Sequence, residues 1–220
     1  MNGWKRILSI AALLLPMLVL AQRDGDLPPI STTFKGSLNL PAPLKNPLFQ
    51  GYTETIGQLD GVVQVPVYNG LGIGVGAKMT WYALKERALA PFLNTGEIRR
   101  SSFYGKLAFE KFTGKRTFYE LSGRAGISNF MFDCRTCDPS PQQAFHWGIG
   151  AAYYVHVSHN LAFGFTLGYE TDAKVFSATD LGMETFPGRK EVGEERNFQN
   201  MVIGMGFSTR FTRNPEGPTW

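Results

Sequence analysis

Apolar and polar residues alternate along residues 71–82, and this pattern gives the clearest structural signal in the chain. The odd positions are apolar from Leu71 to Trp81, whereas the even positions are glycine or polar up to Tyr82. A period of two predicts a β-strand whose two faces meet different surroundings. Because glycines and Lys78 fill the second face, we expect the apolar face to contact lipid and the small polar face to line a narrow interior.

The same alternation recurs along the chain and predicts eight strands. They are placed at 33–43, 53–68, 71–83, 100–112, 117–132, 145–157, 161–172 and 198–211. From the Asn69-Gly70 turn onward, short turns alternate with longer segments, which is the order expected of an outer-membrane barrel. The prediction is therefore an all-β fold, an eight-stranded antiparallel up-and-down transmembrane β-barrel.

An export signal is predicted before the barrel. Lys5 and Arg6 are followed by an apolar run over residues 7–20 and then by Ala21. This order of cations, apolar core and small residue is that of a secretory signal peptide, and the run is shorter than the roughly 20 residues of a membrane-spanning helix. We divide the chain into a signal peptide (1–21), a short periplasmic segment (22–32), the barrel (33–211) and a periplasmic tail (212–220).

Charge and composition restrict the class of protein. The formal net charge of +4 falls to +2 when the two cations Lys5 and Arg6 leave with the signal peptide. The remaining cations are dispersed, so we predict no nucleic-acid partner. A soluble lipocalin-like barrel is the alternative fold, but it would need large apolar residues inside and charge outside, the reverse of residues 71–82.

Cys134 and Cys137 are the two cysteines of the chain. In an exported protein we expect them to form a local disulfide that stiffens a loop. A redox pair would need a βαβ context, and a zinc site would need two more ligands at the usual spacing. The sequence offers neither, so we predict no metal and no cofactor.

The inward positions of the predicted strands carry charges of both signs. They are Lys35, Asp60, Lys78, Lys106, Glu110, Glu120, Arg124, Glu170, Asp172 and Arg210. The interior of an eight-stranded barrel is just wide enough for side chains to fill it, and charges buried there must pair because an unpaired buried charge is very costly. We therefore predict a lumen charge network that closes the barrel, with a gated path for small solutes as the alternative.

Two surface features bear on membrane contact and partners. Aromatic side chains are predicted to form girdles at the membrane interfaces. The candidates are Trp81, Tyr82, Phe103, Phe118, Tyr119, Phe132, Trp147, Tyr153 and Tyr169. The longest connection, residues 173–197, is charged and is the candidate for contact with a partner protein, with a solvated mobile loop as the alternative.

His156, Ser158 and Glu170 have the residue types of an ester hydrolase. Their spacing resembles the His-x-Ser…Glu pattern of the lipid A deacylases, which are outer-membrane barrels, and this resemblance implies a lipid A-modifying hydrolase. We place Ser158 in a turn and Glu170 near the opposite rim. Twelve strand residues at about 3.3 Å each put the two beyond hydrogen-bond reach, so we predict no catalytic site.

Taken whole, the mature chain resembles the small outer-membrane β-barrel proteins of Gram-negative bacteria. The opening strand with Gly36 to Pro41 and the segment 204–211, which looks like a C-terminal targeting strand, carry this resemblance. The strands rich in glycine and aromatic residues look like those of barrels from the Bacteroidetes. The resemblance implies location in the outer membrane, contact with its lipid, and contact with the barrel-assembly machinery during export.

For the function we predict a structural or accessory barrel, or a subunit of an envelope protein complex. The alternatives are a narrow, porin-like channel for small solutes and the lipid A-modifying hydrolase.

Overall fold

The computed structural model describes residues 31–91, 96–114, 116–137, 140–158, 160–187 and 197–211. The predicted signal peptide, the predicted tail, residues 22–30 of the periplasmic segment and residues 188–196 of the longest loop lie outside the described residues. Among the helices that are described, none has the length and apolar character needed to cross a membrane.

Eight antiparallel strands close into one barrel. They are β1 (Thr33–Lys45), β2 (Thr53–Tyr68), β3 (Leu71–Leu84), β4 (Gly96–Phe112), β5 (Thr117–Cys134), β6 (Gln142–His156), β7 (Leu161–Asp172) and β8 (Phe198–Arg210). The connections hold two short helices, α1 (Pro47–Gly51) and α2 (Glu86–Leu89), and a 3-10 turn (Ala178–Leu181). Each strand pairs with the next along the chain, and β8 pairs with β1, which confirms the predicted fold class.

Two strands begin earlier than the sequence predicted. β4 starts at Gly96, not at residue 100, and β6 starts at Gln142, not at residue 145. The added residues continue the ladder, with Glu97 opposite Asp133 of β5. Charged or polar outward residues, such as Glu97 and Gln143, interrupt the apolar alternation there, because a strand that leaves the lipid no longer needs an apolar outer face.

The strands are staggered around the barrel. Following the paired residues from Thr33 through all eight strands returns to β1 at Pro43, ten residues further along. A barrel closes only with such a shear, and its strands then tilt by about 35–45° from the axis. The stagger brings residues that are distant in sequence to the same level of the lumen.

The connections distinguish two ends of the barrel. The turn end carries the short connections 69–70, 113–116 and 157–160, and the loop end carries the longer connections 46–52, 85–95, 135–141 and 173–197. Asn69 and Gly70 have positive φ angles of 46° and 83°, as a two-residue hairpin requires.

The outer surface of the barrel is an apolar belt. Val75 and Phe165 point outward and remain 71% and 68% exposed, whereas Lys78 and Thr80 point inward and are 4% and 0% exposed. Other exposed members include Leu38, Leu40, Ile56, Leu59, Ile73, Phe103, Leu107, Ile127, Ile149, Phe163, Leu167, Ile203 and Met205. An apolar exterior around a polar interior is the arrangement of a transmembrane barrel, so the two predicted faces of residues 71–82 are confirmed.

Candidate functional site

The lumen contains three groups of paired charges, stacked from the turn end to the loop end. In the lower cluster, Lys35 forms salt bridges with both Glu110 and Glu120. Lys106 Nζ lies 2.6 Å from Glu120 Oε1, and the Gln64 amide donates a hydrogen bond of 2.6 Å to Glu110. Two cations and an amide therefore neutralise and orient two carboxylates inside the barrel.

The middle cluster is centred on the carboxylate of Asp60. The Tyr104 hydroxyl donates a hydrogen bond to Asp60, and Arg124 forms a salt bridge with the same carboxylate. The Arg124 guanidinium also lies 5.2 Å from the centre of the Tyr104 ring, within the range of a cation–π contact. Three strands, β2, β4 and β5, thus contribute to one polar contact across the lumen.

The upper cluster is the most deeply buried of the three. Glu170 accepts Lys78 Nζ at 2.6 Å and Arg100 Nη1 at 3.2 Å. Arg100 Nη2 also lies 2.8 Å from Asp172, whose second oxygen is 3.2 Å from His146 Nδ1. The side chains of Arg100, Asp172 and His146 are fully buried, so these paired charges lie out of contact with bulk solvent.

The structure brings together most of the residues predicted for the lumen, with two differences. Arg100, which was not among them, lies at the centre of the upper cluster. Arg100 has an even number, like the other inward residues of β4. It is the first residue of the predicted strand, so the alternation did not show whether its side chain faces the lumen or the lipid. Arg210 lies apart from the three clusters at the turn end, with Nη2 at 3.3 Å from His156 Nε2.

A small cavity lies within the lumen. Its lining includes the charged residues Asp60 and Arg124 and the small residues Gly148 and Gly150. Its volume is about 40 Å³, against the roughly 10–15 Å³ that one water needs. This space has room for a few waters, which could hydrogen-bond to the surrounding polar groups.

An apolar cap closes the loop end above the upper cluster. The Phe49 ring of α1 stacks on Phe198 with centroids 3.9 Å apart, and it meets Tyr82 and Phe176 edge-on at 5.0 and 5.4 Å. The cap consists of Leu48, Phe49, Tyr52, Tyr82, Leu84, Leu89, Ile98, Phe130, Phe132, Ala144, Phe176, Ala178, Leu181, Met183, Phe186 and Phe198. These rings pack against one another across the loop end of the lumen.

Part of the predicted aromatic girdle is wrong, because three of its members face the lumen. Tyr82, Phe118 and Phe132 are 0%, 2% and 2% exposed and lie inside the barrel, because their even positions face the lumen. Trp147 and Tyr153 do face outward, at 40% and 48% exposure. An aromatic side chain therefore marks the interface only when the strand register turns it toward lipid.

The described part of the longest loop, residues 173–187, belongs to the cap. Phe176 and Leu181 are buried at 1% and 0% exposure. The Asn46 side chain donates to the Phe176 carbonyl at 3.0 Å, and the Thr136 hydroxyl donates to the Leu181 carbonyl at 2.8 Å. These bonds join three connections, so the alternative of a solvated loop is wrong for this part.

Cys134 and Cys137 form the predicted disulfide, with Cα atoms 5.2 Å apart. Cys134 is the last residue of β5, and both cysteines pack against the apolar cap. The bond therefore holds the 135–141 connection close to the end of its strand.

His156, Ser158 and Glu170 do not form a common site. His156 and Ser158 lie at the turn end, where His156 pairs with Ala162. Glu170 pairs with Gly148, which lies eight residues before His156 in β6. Glu170 and His156 are therefore about 26 Å apart along the strands at 3.3 Å per residue. No nucleophile, base and acid arrangement results from these three residues.

The chain was compared with known proteins. No protein-family model and no curated protein matches it. Among solved structures, Neisserial surface protein A superposes with a TM-score of 0.52 at 10% identity, over 82% of this chain and 97% of that one. Ail of Yersinia pestis gives 0.46 at 10% identity, over 82% and 98%, and OprG of Pseudomonas aeruginosa gives 0.45 at 11%, over 85% and 98%.

These similarities concern the fold, and the comparison that carries it is the one with Neisserial surface protein A. The apolar belt of this chain supplies the surface that a membrane barrel requires. The protein is an integral membrane β-barrel with the fold of outer-membrane proteins. An origin among the Bacteroidetes stays a prediction.

Proposed function

We propose that this protein is a non-conducting accessory barrel that presents a fixed surface at the loop end. The observation that supports the proposal is that three charge clusters and the apolar cap occupy successive levels of the lumen. A solute would have to separate buried ion pairs, and breaking one such pair costs about 3–5 kcal/mol. This argues against the porin-like channel.

Bilayer recordings of the full mature chain test closure. We expect no unitary openings from protein whose folding is verified by heat-modifiable migration on gels. The variant Phe49→Ala should also be silent, because it loosens the cap and leaves the charge clusters in place. Regular openings of the unaltered chain would instead support the channel.

The accessory role rests on the fixed geometry of the loop end. Hydrogen bonds connect separate loops there, including one of 3.0 Å from the Tyr52 hydroxyl to the Pro187 carbonyl and one of 2.8 Å from Gln142 to Asp180. A preorganised surface binds a partner with less loss of conformational entropy than mobile loops do. We propose an envelope protein as that partner, with the charged connection 173–197 as part of the contact.

Gentle-detergent extraction from native membranes tests the accessory role. A stoichiometric envelope protein should copurify with the tagged chain, but not with a tagged barrel of similar size expressed in the same cells. Recovery of the chain alone at full yield would contradict the role of complex subunit.

Unchanged lipid A mass in cells that carry Ser158→Ala is expected, because the three hydrolase-like residues are separated.

A further inference from the structure

Two rows of polar residues bound the apolar outer face of β4, β5 and β6. Within each row the residues lie directly opposite one another on neighbouring strands. The loop-end row consists of Ser101, Asn129 and Gln143. The turn-end row consists of Lys111, Tyr119 and Tyr153. Between the two rows, every outward residue of these three strands is apolar or glycine.

The spacing of the two rows matches the thickness of a membrane. Ten residues separate the rows on each strand, as from Ser101 to Lys111 on β4. At about 3.3 Å per residue and a strand tilt of about 35–45°, ten residues rise about 25 Å along the barrel axis. The apolar band of outer-membrane barrels is about 25 Å tall. The turn-end row therefore lies at the level of the lipid head groups.

The charges on the outside of the turn end have one sign. Lys111 is an outward residue near the end of β4, and Arg116 is exposed in the turn that follows. The carboxylates nearest to them along these strands are those of Glu110 and Glu120, which face the lumen and form salt bridges with Lys35. Among the described residues of the turn end, the charges outside the lumen are therefore cationic.

The loop end carries charges of both signs on its outside. Arg99 forms a salt bridge of 2.5 Å with Glu97. Glu86 and Arg87 are adjacent and exposed in α2. Carboxylates there offset the cations, so the two ends of the barrel differ in their attraction for an anion.

Backbone hydrogen bonds hold Arg116 close to the turn-end row. The His156 N–H donates to the Arg116 carbonyl at 2.7 Å, and the Thr113 N–H donates to the Thr117 carbonyl at 2.9 Å. Lys111 lies two residues before Thr113 on the same hairpin. The ammonium and guanidinium groups therefore project from one hairpin, beside the outward tyrosines.

We infer that this rim, formed by Lys111, Arg116, Tyr119 and Tyr153, binds the phosphate of an anionic phospholipid in the leaflet around the turn end. Lysine and arginine keep their stems along an apolar surface while their charged ends reach the head groups, and an anionic membrane surface attracts such cations. Tyrosine hydroxyls at this level can donate hydrogen bonds to phosphate or ester oxygens. A zwitterionic head group fits less well, because its own cation offsets the attraction.

Photolabelling with two lipid probes tests this inference, which does not depend on whether the lumen conducts or a partner protein binds. The full mature chain is folded into phosphatidylcholine vesicles that contain a trace of phosphatidylglycerol or phosphatidylcholine with a diazirine near the ester end of one acyl chain. Labelled residues are mapped by mass spectrometry. At the turn-end row, labelling by phosphatidylglycerol should exceed that by phosphatidylcholine several-fold, whereas the two probes should label the loop-end row equally. A ratio near one at the turn-end row would overturn the inference.

Charge variants separate head-group binding from general contact with lipid. Lys111→Gln combined with Arg116→Gln should lower the ratio at the turn-end row to near one, whereas Lys111→Arg keeps the charge and should preserve it. Arg99→Gln removes an outward cation at the opposite end and should leave that ratio unchanged. Heat-modifiable migration on gels verifies that each variant is folded. A ratio that persists in the double variant, or that falls equally in Arg99→Gln, would contradict a phosphate site at this rim.

Discussion

Arg100 and Arg99 are neighbours on β4 but face opposite surroundings. Arg100 is buried in the lumen between Glu170 and Asp172. Arg99 points outward, is 43% exposed and pairs with Glu97 at 2.5 Å. The same residue type therefore has two different energetic roles, and strand parity alone assigns them.

Replacing Arg100 by Ala should destabilise the barrel strongly. Two buried carboxylates would lose a partner, and breaking a buried ion pair costs about 3–5 kcal/mol. The free energy of unfolding in urea, measured in phospholipid vesicles, checks this. Arg99→Ala is the matched control and should cost less than about 1 kcal/mol, since exposed pairs contribute little. Similar losses in the two variants would contradict a buried charge plug.

Gly126 and Gly123 on β5 differ in the space around them. A Cβ at position 126 would overlap the Phe103 carbonyl and the Tyr104 Cα, whereas nothing lies within 4 Å of one at position 123. Gly126→Ala should lower the free energy of unfolding by about 1–3 kcal/mol through backbone displacement. Gly123→Ala should be neutral in the same urea titration. A neutral result at both positions would show that β4 and β5 are not in such close contact.

At the scale of elements, α1 connects the cap to the barrel wall. It has five residues, too few to be stable alone in water. Packing of Phe49 against Phe198, Tyr82 and Phe176 therefore has to stabilise it. The helix also joins β1 to β2, so one short element connects the cap directly to the barrel wall.

Phe49→Ala should loosen the loop end while the barrel stays folded. Removing a buried phenylalanine costs about 3–5 kcal/mol, and the loss falls on the cap contacts. In proteoliposomes, added protease should cleave the 46–52 connection faster in this variant. Phe103→Ala, which removes a lipid-facing ring of 64% exposure, is the control and should leave cleavage unchanged. Unaltered cleavage in Phe49→Ala would mean that the helix does not depend on this ring.

At the scale of the whole molecule, the barrel reverses the usual placement of apolar and polar side chains in a soluble protein. Its exposed surface is apolar and its interior carries paired charges, so lipid rather than a hydrophobic core stabilises the outward side chains. Closure removes the free edges that an open sheet would present to lipid. Closure is incomplete between β1 and β2, where the ladder ends at Asn39 and Gln58 although β1 continues to Lys45 and β2 begins at Thr53.

Tryptophan fluorescence can report the position of the belt in a bilayer. Trp147 is outward and 40% exposed, so its emission should be quenched by phospholipids with bromine on their acyl chains. The background of Trp81 and Trp220 is removed with Trp81→Phe and Trp220→Phe, and Trp147→Phe in addition should abolish the quenched emission. Emission that responds to acrylamide in the vesicle buffer and ignores the brominated lipid would contradict a membrane-embedded belt.

Much of the fold could be predicted because the direction of a side chain in a strand is a local property. Alternation along residues 71–82 separates the lipid face from the lumen face without knowledge of neighbouring strands. The same rule placed Lys35, Glu120 and Glu170 inside the barrel. It could not show which charges meet, since Arg100 reaches Asp172 only through the stagger of the closed sheet.

The alternation of the chain was sufficient to determine a membrane barrel with a polar interior, because period, turn chemistry and strand length act over a few residues. Tertiary structure alone decided that the loop end is capped. The cap comes from side chains far apart in sequence, such as Phe49 and Phe198, that reduce their contact with water by packing together over the lumen. Such contacts depend on closure of the barrel, which no single segment encodes.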